Sequence, residues 1–543
     1  MPEYPTEDTN ASGKTSGSSP DDHTDDNAPS FFSCENLCIV QVPVSTGSLN
    51  GFSIGFVAVY MHLYEIFSGC SALESSGACS GNSKCTWIPN NSTCVWKDCN
   101  GAAGATTCKD GSGYNSLESG LFACSMIVGS MIGSIFAGKF LSKFGLKMSF
   151  IVSGVLGIVG SALIHVATRG STLWVMCVGR FLMGLVLGLV CVASPMYVNE
   201  NAHPKYRKTI GVLFQVFTTF GIMFAALLGL AIVKTPGHDK ASGLLWRMQV
   251  FCSVSTALSA LLLVLGLVVR KSKTSFAGGV DSAGEGVLDP NEYSVRQMLG
   301  PLAVGAVTAG TLQLTGINAV MNYAPEIMRN IGMDPMEGNS AVMSWNFVTA
   351  LVAIPLVSRF TMRQLFLACS FMASCACLIM CGIPVYPGVA SVDNRNIVAT
   401  VGIAVFIAAF EFGVGSCFFV LAQDLFPRSF RPTGSSFVVM AQFIFNIMIN
   451  LLYPITVEAI SGGKGKSPEK GQSVSFIIFG IIGIICFVLQ LRYLTPWEDG
   501  QGTSTSPTAR CNAPTSPNNG EGEPATADMS PVEMSTPKHS GAA

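Results

Sequence analysis

The stretch LWVMCVGRFLMGLVLGLVCVASPMYVNENAHPKYR, residues 173–207, begins with an apolar run and ends in a polar one. About 20 apolar residues suffice for a helix to cross the hydrocarbon of a bilayer. The polar end places Glu200 before Arg207, with Pro204 between them. The stretch therefore predicts a membrane helix that runs into a charged loop.

The same polar pattern returns in the second half of the chain. Asp424 precedes Arg431 at the spacing that separates Glu200 from Arg207, and Pro427 again lies between. A second echo pairs Lys143 and Lys147 with Arg359 and Arg363, each after the second apolar segment of its half. Two matched pairs indicate a duplicated bundle, and duplicated halves of transporters enclose a central site.

Apolar segments flank a central polar stretch, six on each side. The first six lie near residues 44–67, 120–140, 148–167, 173–192, 210–233 and 250–269. The second six lie near residues 299–320, 341–357, 365–383, 397–421, 435–453 and 474–491. We predict an all-α membrane protein with twelve transmembrane helices in two pseudo-symmetric six-helix bundles.

The predicted organisation places a disordered cytoplasmic N-terminus at 1–36 and the first bundle at 37–270. A cytoplasmic linker at 271–297 contains Asp289 and Pro290, which suit the start of a short helix. The second bundle covers 298–494, and a disordered cytoplasmic tail covers 495–543, because Ser, Thr, Pro and Gly dominate there. The N-terminus lacks a basic start before a short apolar core, so no signal peptide is predicted.

Composition excludes several function classes. Hydrophobic residues make up 49% of the 543 residues and charged residues 12%, with a mean hydropathy of +0.47. A soluble enzyme is about 25% charged, so this class is excluded. A net charge of -2 gives no reason to expect a nucleic-acid partner. An intramembrane enzyme needs a nucleophile with a base, or a metal cluster, and we identify neither in the apolar segments. We also expect no cofactor.

The loop at 68–117 is rich in cysteine. Six cysteines there predict up to three disulfides and an exoplasmic face: Cys70, Cys79, Cys85, Cys94, Cys99 and Cys108. Asn90 and Asn91 each begin a glycosylation sequon. Metal binding is the alternative for these thiols, but they contain no C-x-x-C pair. With this loop outside, both termini are predicted to be cytoplasmic.

Several motifs resemble the sugar porter family of the major facilitator superfamily. They are QLTGIN at 313–318, Gly179-Arg180, PMY at 195–197, Asn346, the pair Phe410-Glu411, and the spans 200–207 and 424–431. The Cys-rich loop, LQLTGINAVMNYAPEI at 312–327 and FEFGVGSCFFVLAQDLFP at 410–427 resemble the hexose transporters of trypanosomes. This resemblance implies alternating-access uptake of D-glucose, with D-fructose as a further substrate, across the plasma membrane.

Departures from the family pattern bear on the mechanism. Leu312 and Phe419 stand where many members have Gln and Trp, and Asn322 replaces a tyrosine. Proton-driven members carry a carboxylate on the first helix, whereas no Asp or Glu lies between Glu35 and Glu65 here. Facilitated diffusion is therefore expected. Proton-coupled symport and a nontransporting glucose sensor remain alternatives, and the oligomeric state is open.

A hexose is neutral and rich in hydroxyls, so its site needs amide side chains, which donate and accept hydrogen bonds. The candidate substrate residues are Gln215, Gln313, Asn318, Asn322, Asn346, Phe410, Glu411, Phe419 and Asn446. Asn318 and Asn322 share a helix face, and Pro325 is expected to let the outer end of the seventh helix bend over the site. The alternative role for the amides is interhelical hydrogen bonding. For Glu411 it is holding the tenth helix through a neighbouring amide.

Charged residues at the cytoplasmic ends form a predicted gate. They are Lys143, Glu200, Arg207, Arg359, Arg363, Asp424 and Arg431. Exposed ion pairs contribute only about 0.2–1 kcal/mol each, so such a network can break in every cycle. Anchoring to lipid explains the basic residues alone but not the repeated acid-to-base spacing. Arg180, inside the fourth segment, is expected to have a buried structural partner.

Overall fold

The computed structural model describes residues 31–68, 85–88, 93–96, 116–170, 173–234, 241–269, 293–321, 334–389, 391–462 and 469–497. Within these residues the chain is helical apart from one antiparallel sheet of two strands, β1 (Cys85–Ile88) and β2 (Thr93–Trp96). The sheet lies in the predicted Cys-rich loop. The helical membrane architecture is confirmed, and the two short strands were not predicted.

Among the described residues, the first half of the chain supplies six helices. They are α1 (Cys34–Ser68), α2 and α3 (the two parts of Ser116–Gly170, divided at Gly145), α4 (Leu173–Asn201), α5 (Pro204–Lys234) and α6 (Ala241–Val268). Gly145 has a φ of 76°, a left-handed conformation that glycine adopts without a steric penalty. It therefore allows α2 and α3 to be two separate crossings.

The second half supplies six more. They are α7 (Leu299–Leu314), α8 (Pro335–Arg359), α9 (Met362–Ala376, continued by π-helical Cys377–Gly382), α10 (Val392–Ala409, π-helical Phe410–Gly415 and Ser416–Asp424), α11 (Arg431–Ser461) and α12 (Glu469–Tyr493). The predicted linker helix at Asp289 lies outside the described residues.

The described helices are suited to a bilayer. Eleven helical stretches among the described residues are long and apolar enough to cross a membrane, and one of them, Gly120–Thr168, is 49 residues long. Because Gly145 divides that stretch, it crosses twice. Large apolar side chains such as Phe136, Trp174 and Val268 point outward from the helices and are exposed. In water such a surface would be unfavourable, whereas lipid solvates it.

Glycines allow the helices of each bundle to pack closely. A Cβ on Gly129 of α2 would collide with the Phe181 carbonyl of α4, and one on Gly184 of α4 would collide with the Met126 carbonyl of α2. Small residues are typical of such contacts because they let helix backbones approach. Gly51 of α1 makes an equally close approach to α5 at Thr218.

The two bundles are in contact near the end that carries Glu200 and Asp424. A Cβ on Gly138 of α2 would lie 2.9 Å from the carbonyl oxygen of Pro432 on α11. A Cβ on Gly211 of α5 would lie 2.6 Å from a methyl carbon of Val420 on α10. The bundles are therefore closed against each other at this end.

The described chain extends past both predicted bundle boundaries. At the start, the ring of Phe31 packs edge-on against Tyr206, with centroids 5.4 Å apart. At the end, the backbone N–H of Trp497 donates to the carbonyl of Asp424 at 2.7 Å, and its ring packs against Tyr293 at 6.0 Å. We call residues 494–497 the C-terminal strap, because they tie the end of α12 to the end of α10.

Candidate functional site

The π-helical segment of α10 positions Glu411 at the interface between the bundles. Glu411 is 2% exposed. Gln215 of α5 donates from Nε2 to the two carboxylate oxygens at 3.4 and 3.3 Å. A Cβ on Gly415 would lie 3.1 Å from Gln215, Glu411 and the Phe410 ring alike, so the glycine makes room for this group. We call Gln215, Glu411 and Phe410 the carboxylate group.

The backbone of α7 is interrupted inside the QLTGIN element. The helix ends at Leu314, and Gly316 adopts a φ of 90° before helical structure resumes at 317–321. The break separates Gln313 from Asn318, yet Asn318 Nδ2 donates to Gln313 Oε1 at 2.8 Å. Sequence reasoning expected a bend further along, at Pro325, which lies outside the described residues together with Asn322. The break at Gly316 was not predicted.

Helix α11 contributes the third amide of this group. Asn446 Nδ2 donates to Gln313 Oε1 at 3.3 Å, so one oxygen accepts from both asparagines. Asn450 donates to Asn446 Oδ1 at 2.8 Å and extends the chain of amides along α11. We call Gln313, Asn318 and Asn446 the amide group. Sequence reasoning missed Asn450, although it stands one helical turn after Asn446.

Two further amides have unused acceptors. Asn346 of α8 is 2% exposed and Gln442 of α11 is 8% exposed. Within the described residues, Asn346 Oδ1 and Gln442 Oε1 have no hydrogen-bond partner. A buried unpaired acceptor costs roughly 1–3 kcal/mol, so each oxygen favours a ligand or water that donates. Gln442 was not predicted, although it lies one turn before Asn446 on the same face.

Aromatic side chains cover the junction of α5 and α10. Phe419 packs edge-on against Phe214, with ring centroids 4.7 Å apart, and Phe410 stacks on Phe406 at 6.1 Å. Phe419 is thereby held between the bundles rather than facing lipid. Aromatic rings of this kind can cover the apolar C–H face of a sugar ring.

Asn199 joins the two bundles at the end that carries Glu200 and Asp424, which the sequence predicts to be cytoplasmic and which we call the cytoplasmic end. Asn199 Nδ2 of α4 donates to Asp424 Oδ1 at 2.9 Å, and Arg431 Nη1 donates to Asn199 Oδ1 at 3.3 Å. Arg431 also donates from Nε to the Gln423 carbonyl at 3.0 Å. Two of the predicted gate residues therefore meet through an amide that sequence reasoning did not identify. The signal available was its position directly before Glu200.

The remaining gate candidates have different surroundings. Glu200 and Arg207 are both half-buried. Lys143 lies over the ring of its neighbour Phe144 at 5.3 Å, and Arg359 is exposed at the end of α8. Arg363 donates to the Leu491 carbonyl at 2.9 Å and to the Leu494 carbonyl, and thus anchors the C-terminal strap.

Arg180 has the expected buried partners, and they are mainly aromatic. The guanidinium donates from Nη1 to the Ser53 carbonyl of α1 at 2.9 Å. Its central carbon lies 5.3 Å from the Phe56 centroid and 5.2 Å from the Phe122 centroid. Cation–π contacts of this kind stabilise a positive charge where water is excluded.

The Cys-rich loop is described only in its two strands. In their register Cys85 lies opposite Trp96 and Cys94 opposite Trp87. Cys70, Cys79, Cys99, Cys108, Asn90 and Asn91 lie outside the described residues. Disulfides and glycosylation in this loop remain predictions.

The family model described as "Sugar (and other) transporter" matches residues 39–493. The chain belongs to this family. It is thus a multi-pass membrane transporter and not an enzyme. Among curated relatives, Glucose transporter 2A of Trypanosoma brucei brucei is 56% identical, and the match covers 95% of this chain and 96% of that relative. Membrane transporter D2 of Leishmania donovani is 38% identical over 88% of this chain and 92% of its own.

Solved structures agree on the fold of this sugar transporter. The proton:xylose symporter XylE bound to 6-bromo-6-deoxy-D-glucose superposes with a TM-score of 0.66 at 18% identity, covering 85% of this chain and 96% of that one. The fucose:proton symporter FucP superposes with a TM-score of 0.55 at 16% identity, covering 82% and 98%. Both belong to the major facilitator fold, and the predicted architecture is confirmed.

Proposed function

We propose that this sugar transporter carries D-glucose, and also D-fructose, down their concentration gradients across the plasma membrane. The observation that carries the proposal is the meeting of buried polar side chains from both bundles, Gln215 from α5 with Glu411 from α10. The amide group lies on the neighbouring helices α7 and α11. Relatives of this chain include proteins named Glucose transporter 2A and Glucose transporter 1E of Trypanosoma brucei brucei, which supports this substrate class.

The chemistry of the site suits a neutral polyol. The Glu411 carboxylate accepts hydroxyl donors, and the amide groups of Gln215 and Asn318 both donate and accept. The unpartnered oxygens of Asn346 and Gln442 are further acceptors for hydroxyl groups. No covalent step is required, because binding and release alone move the sugar.

Alternating access follows from the arrangement of contacts. Asn199, Asp424 and Arg431 join the two bundles at the proposed cytoplasmic end in this state. Rocking of the two bundles around the central site then breaks these contacts and opens the cytoplasmic end. We propose that both termini lie on that cytoplasmic side.

Facilitated diffusion, rather than proton coupling, is supported by Arg180. Its charge is held by Phe56, Phe122 and the Ser53 carbonyl, none of which titrates near neutral pH. The alternative is proton-coupled symport through Glu411, since XylE and FucP are named proton symporters. Among the described residues, the buried Glu411 carboxyl group pairs with the Gln215 amide alone, which favours that alternative.

Counterflow in proteoliposomes tests the function. Vesicles loaded with unlabelled D-glucose should take up labelled D-glucose transiently. Vesicles loaded with unlabelled D-fructose instead should show the same transient uptake of labelled D-glucose. Empty liposomes are the control. Absence of saturable flux would refute hexose transport, whereas accumulation that requires an imposed proton gradient would establish symport.

A further inference from the structure

Side chains of two other helices, α9 and α12, contact the break in α7. It consists of Thr315 and Gly316, and it stands between Gln313 and Asn318. The bond of 2.8 Å between those two amides therefore depends on the angle at which the chain resumes after Gly316. Whatever fixes this angle also fixes the spacing of the amide group.

Helix α9 supplies the first contact with the break. Cys377, the first residue of its π-helical segment, donates from Sγ to the carbonyl oxygen of Thr315 at 3.6 Å. The Cys377 side chain is fully buried. A thiol is a weak donor, but Thr315 is 1% exposed, and a carbonyl at an interrupted membrane helix needs a donor from the protein when it is buried. The thiol therefore stabilises the broken conformation.

Helix α12 supplies the second contact. A Cβ on Gly316 would collide with the ring of Phe479, so the ring lies directly on the left-handed glycine. Phe479 is itself 6% exposed. On the same helix, a Cβ on Gly483 would lie 3.2 Å from the Thr315 methyl group. Thr315 and Gly316 are thus enclosed between α9 and α12.

We propose that Cys377 and Phe479 are positioning residues for hexose binding, which act by fixing the angle of the break in α7. Cys377 donates to the Thr315 carbonyl, and the Phe479 ring lies against the backbone of Gly316. The proposal rests on the proposed function and adds α9 and α12 to the elements that determine sugar affinity. Loosening either contact lowers the fraction of molecules in which Gln313 and Asn318 are correctly spaced.

The first test replaces the thiol. In Cys377→Ala we expect the KM for D-glucose to rise about fivefold, since indirect contacts commonly change coupling by this amount, while Vmax per transporter at the surface is unchanged. Cys377→Ser keeps a donor and should restore most of the affinity. The matched control is Cys381→Ala, because Cys381 is 1% exposed in the same π-helical segment but faces Gly402 of α10.

The second test replaces the Phe479 ring, which lies on Gly316, by a smaller side chain. Phe479→Leu keeps an apolar side chain at this position and should raise KM in the same direction, again with Vmax retained. A wild-type KM in both Cys377→Ala and Phe479→Leu would overturn the proposal. An equal rise in Cys381→Ala would overturn it too, because the effect would then be general to α9. Lack of flux in the wild-type protein would instead refute hexose transport.

Discussion

Helix α10 carries two carboxylates that each accept a hydrogen bond from an amide of the other bundle. In mid-membrane, Gln215 approaches the oxygens of Glu411 at 3.3 and 3.4 Å. At the cytoplasmic end, Asn199 approaches Asp424 at 2.9 Å. Hydrogen bonds of the first length are weak and those of the second are ordinary. The hydrogen bond between amide and carboxyl group is therefore long at Glu411 and of ordinary length at Asp424.

The neighbours of each pair explain the difference in role. Asn199 also accepts from Arg431, so the cytoplasmic pair belongs to a closed network with a cation. Glu411 is surrounded by Gln215, Phe410 and Gly415, which leave its carboxylate without a cation at hydrogen-bond distance among the described residues. A sugar hydroxyl can compete with the long bond of Gln215 more easily than with the network. We therefore expect the contact of Gln215 with Glu411 to open for sugar binding, and the contact of Asn199 with Asp424 to close the cytoplasmic end.

The largest effect is expected from changing the carboxyl group in mid-membrane. Glu411→Gln keeps the shape of the side chain but replaces one oxygen by an NH2 donor, which removes an acceptor for sugar hydroxyls. We expect Vmax/KM for D-glucose to fall about thirtyfold, because a buried hydrogen-bonding group that loses its partner costs about 1–3 kcal/mol. Initial uptake rates, corrected for surface expression, measure this.

The control for that variant is Glu469→Gln. Glu469 forms an ion pair with Arg395 at 2.8 Å but is 40% exposed at the start of α12. Its uptake kinetics should match those of the wild type. If Glu411→Gln transports as well as this control does, the carboxylate is not a sugar ligand and the comparison fails.

A smaller and different effect is expected at the cytoplasmic pair. Asp424→Asn keeps the contact with Asn199 but removes the charge, so the closed cytoplasmic end becomes less populated. The KM for external D-glucose should rise about tenfold as the fraction open to the outside falls, with Vmax for equilibrium exchange retained. Zero-trans uptake and equilibrium exchange in proteoliposomes distinguish the two parameters.

Glu458→Gln is the matched control here, because Glu458 is exposed on α11. A loss of equilibrium exchange in Asp424→Asn, but not in Glu458→Gln, would contradict a purely closing role. It would place Asp424 with the binding contacts instead.

The smallest effect is expected where the cytoplasmic network extends to α12. Arg363→Ala removes the bonds to the Leu491 and Leu494 carbonyls and should reduce the free energy of unfolding by about 1 kcal/mol. Uptake should change by no more than about twofold, as for other exposed polar contacts. Thermal unfolding in detergent, beside Arg359→Ala as control, measures the difference. Equal stability of the two variants would show that the strap does not support α10.

The helical crossings and the duplicated halves were predictable because they follow from hydropathy and spacing. The run at 173–207 corresponds to α4 and the loop before α5, and the echo of Glu200 with Asp424 reflects the matched positions of α4 and α10. Lipid imposes these features on the sequence directly, since each crossing needs a continuous apolar run.

The break in α7 was not predictable from the same signals. Hydropathy continues through Thr315 and Gly316, and a single glycine is tolerated within many membrane helices. The break is stabilised by the Phe479 ring, which lies on Gly316, and by Cys377, which donates to the Thr315 carbonyl. That information lies in α12 and α9, far from α7 in the sequence.

Asn199 and Gln442 were missed for a related reason. Both are single amides in apolar helices, and sequence alone does not show which face of α4 or α11 meets the other bundle. The repeated acid-to-base spacing indicated the charged residues after Asn199. In the structure, however, the Asn199 amide is the group that hydrogen-bonds to both Asp424 and Arg431. The residue types were predictable, but their pairing across the bundles was not.

The bond between the Trp497 N–H and the Asp424 carbonyl has a practical consequence. Trp497, the last residue that the structure describes, is thereby fixed beside the end at which the two bundles close. A fluorescent protein or affinity tag joined directly after Trp497 would therefore stand close to the proposed exit of the sugar and hinder its release.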